Sequence, residues 1–294
     1  MVLLPTSIYK RYMKKLLFLI IFSISTLAAN AGDVIYEKSD SVYIEEVIAQ
    51  IKNESFDTKG EMILAIAKHF IGAEYAGGRL ERGCEEPLFI SCTKVDCTTF
   101  VELVLSIALT IEKNGSCFTE VCNSLERVRY RGGVRNGYES RLHYISWWID
   151  DNARLGILED VTACPYSQKQ RLNINFMSTH PQSYALLKEN PRLRRSIEEL
   201  EVPYRGIEVD YIPKQELQRG EDEIGILNGD IVALATNIEG LDVSHIGFAF
   251  WKNGRLHLLH ASSKEEKVIM DPVTLYDYQK NKRTHIGIRV FRLR

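Results

Sequence analysis

The stretch that follows Val95-Asp96-Cys97 constrains the fold more than any other. From Thr98 the chain runs Thr-Thr-Phe-Val-Glu-Leu-Val-Leu-Ser-Ile-Ala-Leu-Thr-Ile, and Leu103, Val104, Leu105, Ile107, Ala108 and Leu109 leave almost no polar face. A helix apolar on most sides has to be buried on most sides. The remaining chain must therefore build layers around it. Cys97 falls in the first turn of this helix, where unpaired backbone N–H groups and the helix dipole gather partial positive charge. Asp96, just before it, is a favoured N-cap residue.

The C-terminal third reads as strands at 231–236, 244–251, 256–262, 268–270 and 286–293. Asn253-Gly254 between two of them is a two-residue hairpin turn, because both residues accept positive φ. That turn fixes a register: Trp251 opposite Leu256, Phe250 opposite His257, Gly247 opposite His260, and His245 opposite Ser262. Side chains alternate between faces, so His245, Gly247, His260 and Ser262 share one face while His257 lies on the other. His245 and His260 become diagonal neighbours about 7 Å apart by backbone geometry, and Gly247 leaves room beside His260. Upstream, Met62, Ile63, Ile66, Ala67 and Phe70 have helical spacing over 59–70, and 72–78 is a glycine-rich loop. Helices followed by an antiparallel sheet define an α+β domain. Residues 127–223 interrupt this plan with aromatic, arginine, proline and asparagine residues. They read as a long, mainly helical insert that shapes the substrate site, with helices near 140–155 and 182–200.

These placements suit one chemistry. A thiol at a helix start and two adjacent imidazoles make a nucleophile (Cys97), a base (His245) and a group that orients the base (His260). The helix dipole and a neighbouring imidazolium are expected to lower the Cys97 pKa, and backbone N–H groups at the helix start are candidate oxyanion donors. Each residue alone has a plainer structural reading, as a core cysteine or a hydrogen-bonded histidine. Their convergence is what favours catalysis. The six cysteines show no CxxC or paired Cys-His spacing, so no metal site is expected, and the chemistry needs no cofactor. Cys117 with Cys122 and Cys84 with Cys92 could each close a loop, but spacing does not set connectivity.

Lys10, Arg11, Lys14 and Lys15, the apolar run 16–27 and Ala29-Asn30-Ala31 follow the order of a secretory signal peptide. The expectation is a signal over 1–31, a single domain over 32–294, export to the periplasm, and no membrane span after processing. With 37 basic and 39 acidic residues, the chain has no cationic excess for nucleic acid. The glycine-rich stretch 131–137 lacks the Lys-Ser/Thr signature of a phosphate loop. His180 and His285 stand alone and receive no role, and His143 could be structural or face substrate.

Tyr75 with Gly77-Gly78, then Asp96-Cys97-Thr98-Thr99-Phe100-Val101-Glu102, Ser244-His245-Ile246-Gly247 and Leu259-His260-Ala261-Ser262 resemble the NlpC-type papain-like peptidoglycan amidases. The resemblance implies a central helix carrying the cysteine, packed on an antiparallel sheet, with a Cys-His-His triad at Cys97, His245 and His260. Arg129-Tyr130-Arg131, Arg141-Leu142-His143-Tyr144, Met177-Ser178-Thr179-His180-Pro181 and Tyr211-Ile212-Pro213-Lys214 are similar to a long-insert branch first catalogued as a domain of unknown function. That branch implies an N-acetylmuramoyl-L-alanine amidase acting on disaccharide-peptide fragments, especially those ending in a 1,6-anhydro sugar. The chain departs from the wider superfamily in having Asp-Cys-Thr where Asp-Cys-Ser-Gly is usual, and in its insert. For such a substrate, Tyr75, Tyr130 and Trp147 offer aromatic faces to sugars, and Arg129 and Arg141 offer bidentate pairing to carboxylates. Asp96 and Ser244 flank the expected catalytic residues. Two alternatives are a D-glutamyl-diaminopimelate endopeptidase of the same superfamily and a non-catalytic muropeptide-binding protein.

Overall fold

Ile231–Thr236 is buried at every position, as expected of a strand covered on both faces. The computed structural model, which describes residues 34–81 and 86–294, places it within a mixed sheet. Among the described residues ten strands join this sheet: β1 (Glu74–Tyr75), β2 (Lys94–Val95), β3 (Leu158–Asp160), β4 (Gln168–Asn173), β5 (Arg205–Pro213), β6 (Ile231–Thr236), β7 (Val243–Lys252), β8 (Arg255–Ser262), β9 (Lys267–Met270) and β10 (His285–Leu293). Their order is β2-β1-β9-β8-β7-β6-β10-β5-β4, with β3 added against β10. Only β1 and β2 run parallel; the other pairs are antiparallel.

The main helices are α1 (Lys38–Ile51), α2 (Lys59–Lys68), α3 (Cys97–Glu112), α4 (Phe118–Arg129), α5 (Ile145–Arg154), α6 (Pro191–Glu201) and the short α7 (Leu275–Gln279). The apolar run is α3, and every residue of it from Thr99 to Thr110 is buried. Phe100 meets Phe248 of β7 edge-on at 5.7 Å and Phe70 at 6.5 Å, which ties the helix to the sheet and to the segment after α2. Truncating such a ring to alanine costs about 3–5 kcal/mol. A second core joins Val232, Leu234, Leu258, Ile288 and Val290 to Ile212 and to Leu275 of α7.

The hairpin has the expected register, Lys252–Arg255 through Phe248–Leu259, with Asn253 and Gly254 at φ of 52° and 69°. Beyond Leu259, β8 pairs with β9, His260 facing Ile269. The insert departs from expectation. It holds α5 and α6, but it also gives β3, β4 and β5 to the sheet. Gln168-Lys169-Gln170-Arg171 carries no apolar alternation, so β4, an edge strand, gives no period-2 signal to read. The helix expected over 182–200 is broken in two, because Pro191 occupies the first turn of α6 and lacks the N–H to continue an earlier helix. Ile35–Arg294 form one compact unit. The expected signal peptide and Cys84 lie outside the described residues. Cys92, Cys97, Cys117, Cys122 and Cys164 are free thiols, so the Cys117–Cys122 bridge is not formed. No described helix is long and apolar enough to cross a membrane.

Candidate active site

Asp96 sets the start of α3. Its Oδ1 accepts from the Thr99 N–H and the Thr99 hydroxyl, each at 2.8 Å, and Thr99 Oγ1 accepts the Asp96 N–H at 2.9 Å. This reciprocal box satisfies end groups of the helix and fixes the turn that carries Cys97. The neighbouring β2 joins the sheet edge through β1, and burial pushes the hydroxyl of Tyr75 on β1 up to about 12, with Asp96 adding to the rise.

The two histidines come from adjacent strands. His245 Nε2 and His260 Nδ1 lie 2.6 Å apart with their rings nearly perpendicular. A Cβ at Gly247 would stand 2.8 Å from the Cβ of His260 and 2.8 Å from Leu259 O. Only glycine lets β8 approach closely enough for that ring pair. Ser244 is exposed, and its Oγ lies 3.3 Å from Leu234 O and 3.4 Å from His285 Nε2. His285 is thus part of the surroundings of the pair, which sequence reasoning missed.

The Cys97 thiol and the His245 imidazole are both neutral at rest. Burial pushes the Cys97 thiol up to about 12, and Asp96 adds to the rise; N–H groups of Ile246 and Thr98 pull the other way. The expected lowering of this thiol is therefore not found, because desolvation outweighs the helix start. Burial also pulls His245 down to about 3, helped by His260, Lys282 and His285.

Cys97 and His245 line one cavity of about 360 Å³, together with Asp96, Ser244 and Arg141. The insert supplies much of the opposite wall, through Leu142, His143, Tyr144, Met177 and Tyr184. Arg141 is committed within the protein: Nη2 meets Glu81 Oε1 at 2.7 Å and Nε lies 3.1 Å from Glu86 Oε1. Four expected substrate contacts, Tyr75, Arg129, Tyr130 and Trp147, are absent from the cavity lining. Arg129 is 2% exposed and pairs with Glu102 at 2.7 Å. Tyr130 is fully buried with its hydroxyl on Glu86 at 3.3 Å. Trp147 is fully buried against Tyr144 and beneath the Arg131 guanidinium. Glu102, five residues beyond Cys97 on α3, also lines the cavity; it stood in the sequence motif but was given no site role. Among the described residues no group of three His, Cys, Asp or Glu side chains is arranged to hold a metal ion.

A model of the AmiA-like family, described as N-acetylmuramoyl-L-alanine amidase-like, matches residues 65–288. The chain belongs to this family. The AmiA-like chain is also similar to the crystal structure of an N-acetylmuramoyl-L-alanine amidase from Bacteroides uniformis ATCC 8492, at 39% identity and a TM-score of 0.76, covering 80% of this chain and 99% of that one. A Bacteroides fragilis structure named a “putative xylanase” matches at 45% identity and a TM-score of 0.73, covering 78% of this chain and 99% of that one. A Legionella pneumophila protein shares the fold at 24% identity and a TM-score of 0.65, covering 87% of this chain and 95% of that one. No curated protein matches the chain.

Proposed function

We propose that this AmiA-like chain is an exported, periplasmic cysteine amidase of the NlpC type. It hydrolyses the amide between the lactyl group of muramic acid and L-alanine in peptidoglycan fragments, (anhydro-)muropeptides above all. The observation that carries the reading is the His245–His260 contact of 2.6 Å beside a cavity that Cys97 also lines. Because thiol and imidazole are both neutral, attack and proton transfer belong to one event: Sγ bonds to the lactyl carbonyl carbon as His245 takes the thiol proton. The N–H groups at the start of α3 face the developing oxyanion. The C–N bond then breaks, His245 gives its proton to the leaving amine, and the peptide departs. Water attacks the thioester with His245 again as base, releasing the muramoyl carboxylate and restoring the thiol. Asp96 and Ser244 flank these groups. Arg141, held by two carboxylates, shapes the wall and does not act as a free carboxylate clamp.

A glycosidase reading, raised by the xylanase name of one similar structure, needs two carboxyl groups available to the sugar bond. The carboxylates of this cavity are committed: Glu81 to Arg141, Glu102 to Arg129, Asp96 to Thr99, and Asp242 to the Ser146 N–H. The test is a purified chain with a defined anhydro-muropeptide and mass spectrometry of the products. Cys97→Ala should abolish release of free disaccharide while chelator leaves the wild type active. A shortened stem peptide still on sugar assigns the D-glutamyl-diaminopimelate bond instead. Full activity in Cys97→Ala rejects the mechanism, and binding without turnover in the wild type leaves a non-catalytic receptor.

A further inference from the structure

The imidazole pair has an unassigned neighbour. His260 is fully buried, and its Nδ1 is taken by His245. Its other ring nitrogen, Nε2, makes no hydrogen bond and lies 3.4 Å from Oδ2 of Asp271. Asp271 follows β9 directly, and its other polar atoms are already used. Its N–H donates to Leu258 O at 2.9 Å, its carbonyl oxygen lies 3.0 Å from His257 Nδ1, and its Oδ1 accepts the Val273 N–H at 2.9 Å. Oδ2 is what remains, and it faces His260. Burial pushes this carboxyl up, but contacts from His260 and the Val273 N–H outweigh that and leave it below the usual carboxylate range. The group is therefore an anion at neutral pH.

We propose that Asp271 is a positioning residue that selects the tautomer of both imidazoles, an inference that rests on reading His245 as the base. A carboxylate only accepts, so His260 carries its proton on Nε2. Its Nδ1 then has a lone pair, and His245 must donate from Nε2 across the 2.6 Å contact. That leaves His245 Nδ1 bare, the state in which it can take the Cys97 proton. With the opposite tautomer, His260 donates from Nδ1, His245 Nδ1 holds the proton, and no base is available. The 3.4 Å separation is longer than a tight charge-assisted bond of about 2.7–2.9 Å. Asp271 acts by being an acceptor and an anion, not by gripping the ring.

Asp271→Asn separates this from a structural role. The Val273 N–H requires an acceptor, so the amide oxygen stays there and the NH₂ turns to His260. The amide donates where the carboxylate accepted, and both rings invert. Asp271→Ala offers neither, and both tautomers remain open. A wrong-tautomer catalytic histidine costs about 10⁴-fold in kcat in a serine protease whose carboxylate is made an amide; across this longer contact we expect about 10²- to 10⁴-fold for Asp271→Asn, with KM little changed and Asp271→Ala less impaired. A structural role predicts the reverse order, since the amide keeps the shape and the Val273 bond. The second readout needs no substrate: ¹⁵N-histidine NMR of the full chain near pH 7 should show protons on Nε2 of both rings in the wild type and on Nδ1 of both in Asp271→Asn. Nδ1 protonation of either ring in the wild type overturns the proposal, as does Asp271→Asn outperforming Asp271→Ala. A chain inactive on muropeptides but with the expected NMR pattern would reject the functional reading and leave the tautomer assignment standing.

Discussion

Gly247→Ala puts the closest contact of the site under direct load. The new methyl would stand 2.8 Å from His260 Cβ, 2.8 Å from Leu259 O and 3.0 Å from Leu258 Cγ. Against ordinary carbon contacts of 3.4 Å and more, β8 has to retreat by about 0.6 Å. Leu259 O is backbone in a paired strand, so no side-chain rotation relieves it. Overpacking of this kind costs about 1–3 kcal/mol, and for a domain of this size each kcal/mol lowers Tm by about 2–4 °C. The functional effect should be larger. His260 moves with β8, and a His245–His260 contact of 2.6 Å lengthened by about 0.6 Å reaches the limit of a good hydrogen bond. A misplacement near 1 Å costs about 100-fold in rate, so kcat should fall about 10- to 100-fold. Thermal melting and initial rates on a muropeptide measure both. Gly254→Ala is the control: it strains a φ of +69° but meets nothing within 4 Å, so it should lower Tm slightly and leave kcat alone. Wild-type kcat in Gly247→Ala would refute the argument that strand spacing at this glycine holds the ring pair.

The pH dependence follows from His245, which burial above all, with the Lys282 charge nearby, pulls down to about 3. The imidazole stays a neutral base as pH falls, so kcat/KM should be flat from about pH 6.5 to 5; an acid limb centred near 6.5 contradicts this. For stability the sign is that of a depressed histidine. The unfolded chain takes a proton near 6.5 and the folded one does not until about 3. The contribution is complete above about 6.5 and is lost as pH falls through that window, by about 1.4 kcal/mol per pH unit. A His245→Gln chain should therefore show a shallower acid slope in urea unfolding. Glu102→Leu strands a buried Arg129 and should cost about 3–5 kcal/mol in denaturant unfolding, while Glu102→Leu with Arg129→Met should recover most of it.

Local signals carried the parts of this molecule that depend on near neighbours. Asn253-Gly254 fixed a register, the register put His245 and His260 on one face, and the apolar run after Cys97 marked a buried helix. What escaped was set by distant partners. Arg129 and Tyr130 looked like substrate contacts by residue type. Glu102 and Glu86, 27 and 44 residues away in sequence, hold them in the interior instead. The Cys97 pKa was misread for the same reason: the helix start is visible in sequence, but the desolvating surroundings come from other segments. Asp271 had a readable signal, since Asp-Pro starts a turn, but its alignment with His260 exists only once β8 and β9 pair. Among the insert strands, β4 is a polar edge strand without the alternation that betrays buried ones, whereas β5, an interior strand, carries that alternation at Ile207-Glu208-Val209-Asp210-Tyr211 and was passed over.

Those strands bear on how the site selects its ligand. The Ser146 N–H at the head of α5 donates to Asp242 at 2.6 Å, just before the strand that carries His245, and Arg289 of β10 reaches both Ser146 at 3.0 Å and Asp160 at 3.1 Å. The wall built by the insert is thereby bolted to the same sheet that holds the imidazoles. A substitution that loosens Ser146, Asp242 or Arg289 would therefore shift both sides of the opening together, the wall and the strand that carries His245.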